Sequence, residues 1–254
     1  MVLAIGSSSD ALLREIQQQS GAEVILCEEA VLYESVPFAL EKRGPESSGH
    51  LQIHGRRIAF GDLTGVILRP PRMWWPGDEY DLRDQMFVYH ETAASWYAVF
   101  SSLQCPVVNR FGLGWWLQDP GYALGLKARL SLALGLPSVD TDDDPSVRNG
   151  RIWPTARSSA ASAASVYVAG SRVAGASSSD GGAAEAIRRR PDALREWQDE
   201  TGISLCRVDF DCEGDVAVRH VETFPLLEGE PAELAARIAS ATLEHLTVAR
   251  EVTA

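Results

Sequence analysis

The run VLAIGSSSDALLREIQQQSGAEVILC limits what this chain can become more than any other stretch. A short apolar strand (VLAI), a turn of capping residues (GSSSD), an amphipathic helix (ALLREIQQQ) and a second strand (EVILC) follow one another directly. GVILRP adds a buried strand stopped by Pro70-Pro71, and LQIHGRRIAF reads as a hairpin about His54-Gly55. Strands alternating with helices predict a small α/β domain with a largely parallel sheet. A helix from about Arg83 to Leu103 and a CPVVN strand complete this first domain, set at residues 1–110.

Residues 111–254 read as a second, α+β domain. GYALGLKARLSLALGL is a helix ending at Gly135, with Pro137 as a stop signal. Residues 158–184 are nearly all Ser, Ala and Gly, a linker-like composition. Within them, however, SVYVAGSRVAGA has two alternating arms around Gly170-Ser171, which predicts a small-residue hairpin. A helical stretch from Ala183 to Thr201 leads into ISLCRVDFDCEGDVAVRHVETFP, a hairpin pattern with one acid on each arm, Asp209 and Glu222. PAELAARIASATLEHLTVA closes the chain as an amphipathic helix with Pro231 at its first turn.

A net charge of -12 over 254 residues argues against a nucleic-acid partner and against an anionic membrane surface. MVLAIGSSSD lacks the basic start of a signal peptide, and no apolar run approaches the ~20 residues of a membrane span. Cys27, Cys105, Cys206 and Cys212 form no CxxC pair and read as reduced thiols, so the expected location is the cytoplasm. The only lysines are Lys42 and Lys127, which makes lysine-dependent chemistry easy to locate.

Several motifs admit two readings. Gly6–Asp10 opens a helix and reads as an N-cap or as a phosphate-binding turn, though without dinucleotide-binding spacing. The 70–77 loop presents Arg69, Arg72, Trp74 and Trp75 at a strand end. That suits recognition of an anionic or aromatic partner, or tryptophans packed beneath the loop or against another chain. Trp115-Trp116 read as core or interface, and Asp142–Asp144 as a solvated turn. The five histidines have no ligand spacing, and no nucleophile–base arrangement can be drawn from them. Asp209 and Glu222 are either two carboxylates of an ordinary hairpin or ligands of a hard divalent cation.

GVILRPPR, HETAASWYAVFSSLQCPVVNR and GLKARLSLALGLPSVDT, in that order, resemble the pre-ATP-grasp segment and first ATP-grasp helix of the RimK-like ligases, especially the graspetide-type peptide ligases. Arg69, Glu91, Asn109 and Lys127 stand at the matching places. SVYVAGSRVAGA and RVDFDCEGDVAVRHVETFP resemble the family's two hairpins. The resemblance implies a pre-ATP-grasp α/β domain followed by a reduced ATP-grasp-like domain, with ATP and Mg as cofactors. It implies magnesium ligands at Asp209 and Glu222 and a phosphate contact at Lys127. Ligases of this kind activate a carboxylate as an acyl phosphate, and catalysis is mainly electrostatic.

The departures fall together around the expected triphosphate. RIWPTAR stands where a lysine strand belongs, with Trp153 in the lysine's place; Arg151 and Arg157 are the candidates to replace that charge. Ser165 takes the place of an arginine, and Phe224 that of the asparagine after the metal-binding glutamate. The adenine-holding hinge is missing. The leading expectation is therefore a pseudoenzyme: a degenerate ATP-grasp protein that binds or scaffolds a peptide or amino-acid-derived ligand during biosynthesis or modification, with a partner protein or a second copy as possible associates. The alternatives are an active ATP-dependent carboxylate–amine ligase, and a non-ATP enzyme using Asp209 and Glu222 as acid and base.

Overall fold

The computed structural model describes residues 1–28, 31–33, 36–43, 46–69, 76–77, 80–112, 116, 120–138, 147–148, 151–152, 163–176, 181–212, 215–225, 227 and 230–253. Strands β1 (Val2–Ile5) and β2 (Val24–Cys27) flank helix α1 (Ala11–Gln19). The antiparallel strands β3 (Phe38–Arg43), β4 (Glu46–Ile53) and β5 (Arg56–Ala59) come next, then β6 (Gly65–Leu68), helix α2 (Leu82–Ser102) and β7 (Val107–Val108). The four strands β2-β1-β6-β7 form a parallel sheet in that order. All residues of β1 and β6 are buried, as continuous apolar strands covered on both faces require. Asp10 caps α1 by accepting hydrogen bonds from Leu12 N (2.8 Å) and Leu13 N (3.2 Å), while Leu12, Leu13 and Ile16 turn inward. The β4–β5 turn has positive φ at both His54 (50°) and Gly55 (74°), the conformation a two-residue hairpin favours.

Beyond β7 lie α3 (Pro120–Leu134), the short pair β8 (Val147–Arg148) and β9 (Arg151–Ile152), and then β10 (Ala163–Ala169) and β11 (Arg172–Ala176). Helices α4 (Gly181–Arg188) and α5 (Pro191–Thr201), strands β12 (Leu205–Asp211) and β13 (Ala217–Glu222), and helix α6 (Ala232–Thr253) follow. A second four-stranded sheet, antiparallel, has the order β11-β10-β12-β13. The small-residue hairpin turns where its sequence predicts, with Gly170 at φ 56°.

The single helix expected over 183–201 is two helices. Pro191 offers no N–H and disfavours helical backbone at the preceding residue, and Arg190 accordingly leaves the helix at φ -132°, ψ 57°. Helix α2 begins at Leu82 with Asp81 as its cap, so Glu91 is an exposed residue within the helix and does not open it.

One apolar cluster runs without interruption from Leu3, Val66 and Phe100 through Trp116, Leu126 and Leu130 to Trp197, Val208 and Phe210. Trp116 belongs to this core, stacked on Phe100 with ring centroids 5.7 Å apart; Trp115 lies outside the described residues. A second cluster gathers Tyr167, Ala169 and Leu205 under Leu234 and Ile238 of α6, together with Leu12 and Ile16 of α1. No helix among the described residues is long and apolar enough to cross a membrane.

Candidate functional site

Asn109 holds the parallel sheet against the acidic hairpin. Its backbone is left-handed (φ 59°), and its side chain is fully buried. Nδ2 donates to the carbonyls of Leu205 and Thr223, both at 3.0 Å. Oδ1 accepts from Ser204 N at 3.0 Å and Leu205 N at 2.7 Å. The start of β12 and the end of β13 are thereby tied to the end of β7.

Alternation along β12 places Cys206, Val208 and Phe210 on the core face and Arg207 and Asp209 on the other. The strand register then builds two rows across three strands. Ser165, Asp209 and His220 are opposite one another in the first; Tyr167, Arg207 and Glu222 are opposite in the second. Alternation along β13 puts His220 and Glu222, two residues apart in unbroken register with Asp209 and Arg207, on this same face. Asp209 and Glu222 are therefore diagonal neighbours with Arg207 between them.

Both oxygens of Asp209 are engaged. Oδ1 accepts from Ser165 Oγ at 2.6 Å and lies 3.0 Å from Arg207 Nε, which points off the hydrogen-bond axis. Oδ2 accepts from Arg207 Nη2 at 3.1 Å. Glu222 Oε1 accepts from the Phe224 N–H at 3.0 Å, and Oε2 lies 3.9 Å from His220 Nε2. Arg207, Asp209 and Glu222 are 4%, 5% and 7% exposed, so water screens these charges poorly. Burial by itself raises the pKa of Glu222. His220, the Phe224 N–H and the Arg207 charge outweigh it, and the carboxyl titrates below its ordinary value. Burial lowers that of Arg207, but Asp209 and Glu222 hold it above its usual value. The thiol of Cys206 is pushed up to about 12 by burial and by the Glu222 charge.

As folded here, this donor set is taken up by Arg207 and Ser165 rather than open to magnesium. A dication held about 2.1 Å from Asp209 Oδ1 would sit within about 5 Å of Arg207 Nε. At an effective dielectric of ~20 the repulsion is about 7 kcal/mol, which offsets part of the attraction of the two carboxylates. Phe224, where an asparagine ligand would be wanted, offers no donor and packs on Phe111 with ring centroids 5.0 Å apart. Among the described residues no three His, Cys, Asp or Glu side chains gather as a metal site.

Lys127 is buried on α3, a helix whose Leu126 and Leu130 join the core cluster on the Cys206–Val208–Phe210 face. Arg151 is in strand β9, while Arg157 and Trp153 lie outside the described residues, as do Arg72, Trp74, Trp75 and Asp142–Asp144. Arg69 is only 3% exposed, because it is part of the frame. Its Nε donates to Asp10 Oδ2 at 2.8 Å and its Nη2 to the Pro225 carbonyl at 3.0 Å. Its Nη1 is buried without a hydrogen-bond partner among the described residues. The Gly6–Asp10 turn is a cap whose carboxylate already fills the helix N-terminus and neutralises Arg69. Arg207 and His220 were not singled out by the sequence. The signal was available, since each stands two residues before an acid on an alternating strand and so shares that acid's face.

No protein-family model and no curated protein sequence matches the chain. Solved structures do. The macrocyclase MdnC of Microcystis aeruginosa MRC, bound with precursor peptide MdnA, superposes with a TM-score of 0.63 at 12% identity, covering 96% of this chain and 99% of that one. The ATP-grasp ligase PsnB, complexed with minimal precursor, Mg and ADP, gives 0.62 at 15% identity, covering 97% and 98%. A RiPP-associated ATP-grasp ligase of Chryseobacterium gregarium, in complex with ADP and a leader and core peptide, gives 0.59 at 12% identity, covering 96% of each chain. The likeness is one of fold: over nearly its whole length this chain is similar to these peptide-modifying ATP-grasp ligases and has their α/β architecture.

Proposed function

From the premise of an ATP-grasp fold, we propose that this chain is a degenerate member that binds or scaffolds a peptide or amino-acid-derived ligand during its biosynthesis or modification. It does not carry out the ATP- and magnesium-dependent ligation itself. One observation carries this reading: Arg207 is clamped on Asp209 and set opposite Glu222, where a ligase needs a magnesium ion. MdnC is bound with a precursor peptide and PsnB with a minimal precursor, which supports the peptide class of ligand. Two lobes, 1–110 and 111–254, would frame the ligand. The 70–77 loop, with Arg72, Trp74 and Trp75, would form the recognition edge, and the spare Arg69 Nη1 would supply a buried donor at its root. Tyr80, Leu82, Met86 and Phe87, exposed just beyond that loop, offer apolar surface to a peptide, a partner protein or a second copy.

An active carboxylate–amine ligase is the second reading, favoured by the retention of Lys127, Asp209 and Glu222 in buried positions. In it Lys127, with Arg151 or Arg157, would hold the nucleotide phosphates. Calorimetric titration with ATP and magnesium decides between the two, run on the wild type, Lys127→Ala and Glu222→Ala. The degenerate reading expects no saturable heat from any of the three. Micromolar, magnesium-dependent binding lost in either variant would establish the ligase reading in its place.

A further inference from the structure

We infer that Arg207 is a built-in counter-ion occupying the place of a divalent cation, so that Asp209 and Glu222 form a latent metal site which Arg207 keeps closed. This rests on the reading that the chain does not use magnesium. The register sets Arg207 directly opposite Glu222 and two residues from Asp209, on the same face of the sheet. Its Nη2 donates to Asp209 Oδ2, and its Nε lies 3.0 Å from Oδ1. It is 4% exposed, so the charge compensates these acids rather than serving solvent.

A guanidinium and a hydrated dication meet the same requirement by different geometry. The dication draws carboxylate oxygens into its coordination shell at about 2.1 Å, whereas the guanidinium keeps them at hydrogen-bond distance in its own plane. Ser165 completes the arrangement by donating to Asp209 Oδ1, the oxygen that Arg207 Nε approaches without hydrogen bonding, while Nη2 holds Oδ2. The hairpin thus stays electrostatically closed without metal, provided Arg207 is present.

Manganese(II) alone is the probe, followed by the loss of its free electron-paramagnetic resonance signal. The samples are wild type, Arg207→Ala, Arg207→Lys and the double variant Arg207→Ala/Asp209→Asn. The wild type and Arg207→Lys are expected to leave the signal unchanged. Removing the like-charged neighbour should tighten manganese binding in Arg207→Ala by about a hundredfold or more, and the double variant should lose that gain. Because Arg207→Ala leaves two buried anions uncompensated, its melting temperature is measured with and without manganese. Destabilisation that manganese reverses supports the inference.

A folded Arg207→Ala that ignores manganese, or an unfolded one that manganese does not restore, would overturn this inference and leave the proposed function standing. Manganese binding by the wild type that depends on both Asp209 and Glu222 would sink the two together.

Discussion

Asn109 shows how much a single residue can carry in this molecule. Its left-handed backbone is one that asparagine tolerates and most residues do not. Its amide satisfies two backbone N–H groups and two carbonyls that have no water to turn to. Removing it leaves those groups unpaired in the interior, and each costs about 1–3 kcal/mol. Asn109→Ala should lower stability by about 4 kcal/mol, measured as a drop in urea midpoint at unchanged slope. A loss under about 1 kcal/mol would mean that the surrounding backbone finds other partners. The sequence marks Asn109 only as the end of a VVN strand. That it grips residues roughly a hundred positions away is tertiary information, and local periodicity contains none of it. Arg207 differs, because strand alternation alone puts it beside Asp209.

Among the elements, those with strong local signals are where the sequence places them. Apolar runs with capped turns specify the parallel sheet and α1, and paired alternating arms specify the hairpins at Gly170-Ser171 and between Asp209 and Glu222. The break between α4 and α5 follows from Pro191, a local rule that outweighs the apolar pattern on either side. The three-stranded sheet was legible only as its β4–β5 turn, because β3 is mostly exposed and lacks the buried-and-exposed alternation of a half-buried strand. The β10–β11 hairpin carries a test of its own. Gly170 is left-handed, and a Cβ there would meet His245 Nδ1 at 2.7 Å. Gly170→Ala should therefore cost about 2 kcal/mol, from backbone handedness and from displacement of α6. His245 is held below its ordinary pKa by burial. Its neutral form is the one the fold accepts, so its contribution is fully present above the unfolded value of about 6.5 and is lost as pH falls below it. Urea midpoints should fall between pH 7.5 and 5.5 in the wild type and change less in His245→Gln. Equal pH slopes for the two proteins would rule His245 out.

At the scale of the whole molecule, the core does not stop where the chain changes character. Trp116, Leu126 and Trp197 continue the cluster begun by Leu3 and Phe100, so described residues before and after residue 110 share one interior. Heating is expected to give one transition whose calorimetric and van't Hoff enthalpies agree. Two resolved transitions would mean that residues 1–110 and 111–254 melt as separate units. This continuity also explains what sequence reading could and could not reach. The order of segments was visible along the chain, whereas the closure of the acidic rows by Arg207 depends on how three strands are brought side by side.

Helix α6 packs on α1 and, through Leu246, against Gly65 of β6, joining the end of the chain to its beginning. During synthesis that flank of the first sheet stays uncovered until α6 has left the ribosome. Contacts that span so much sequence slow folding, because the chain entropy is lost before they form. Until α6 arrives, the α1 face that it covers, with Leu12, Leu13 and Ile16, lacks part of its apolar partner surface, so folding of the first sheet is coupled to the emergence of a helix far along the chain.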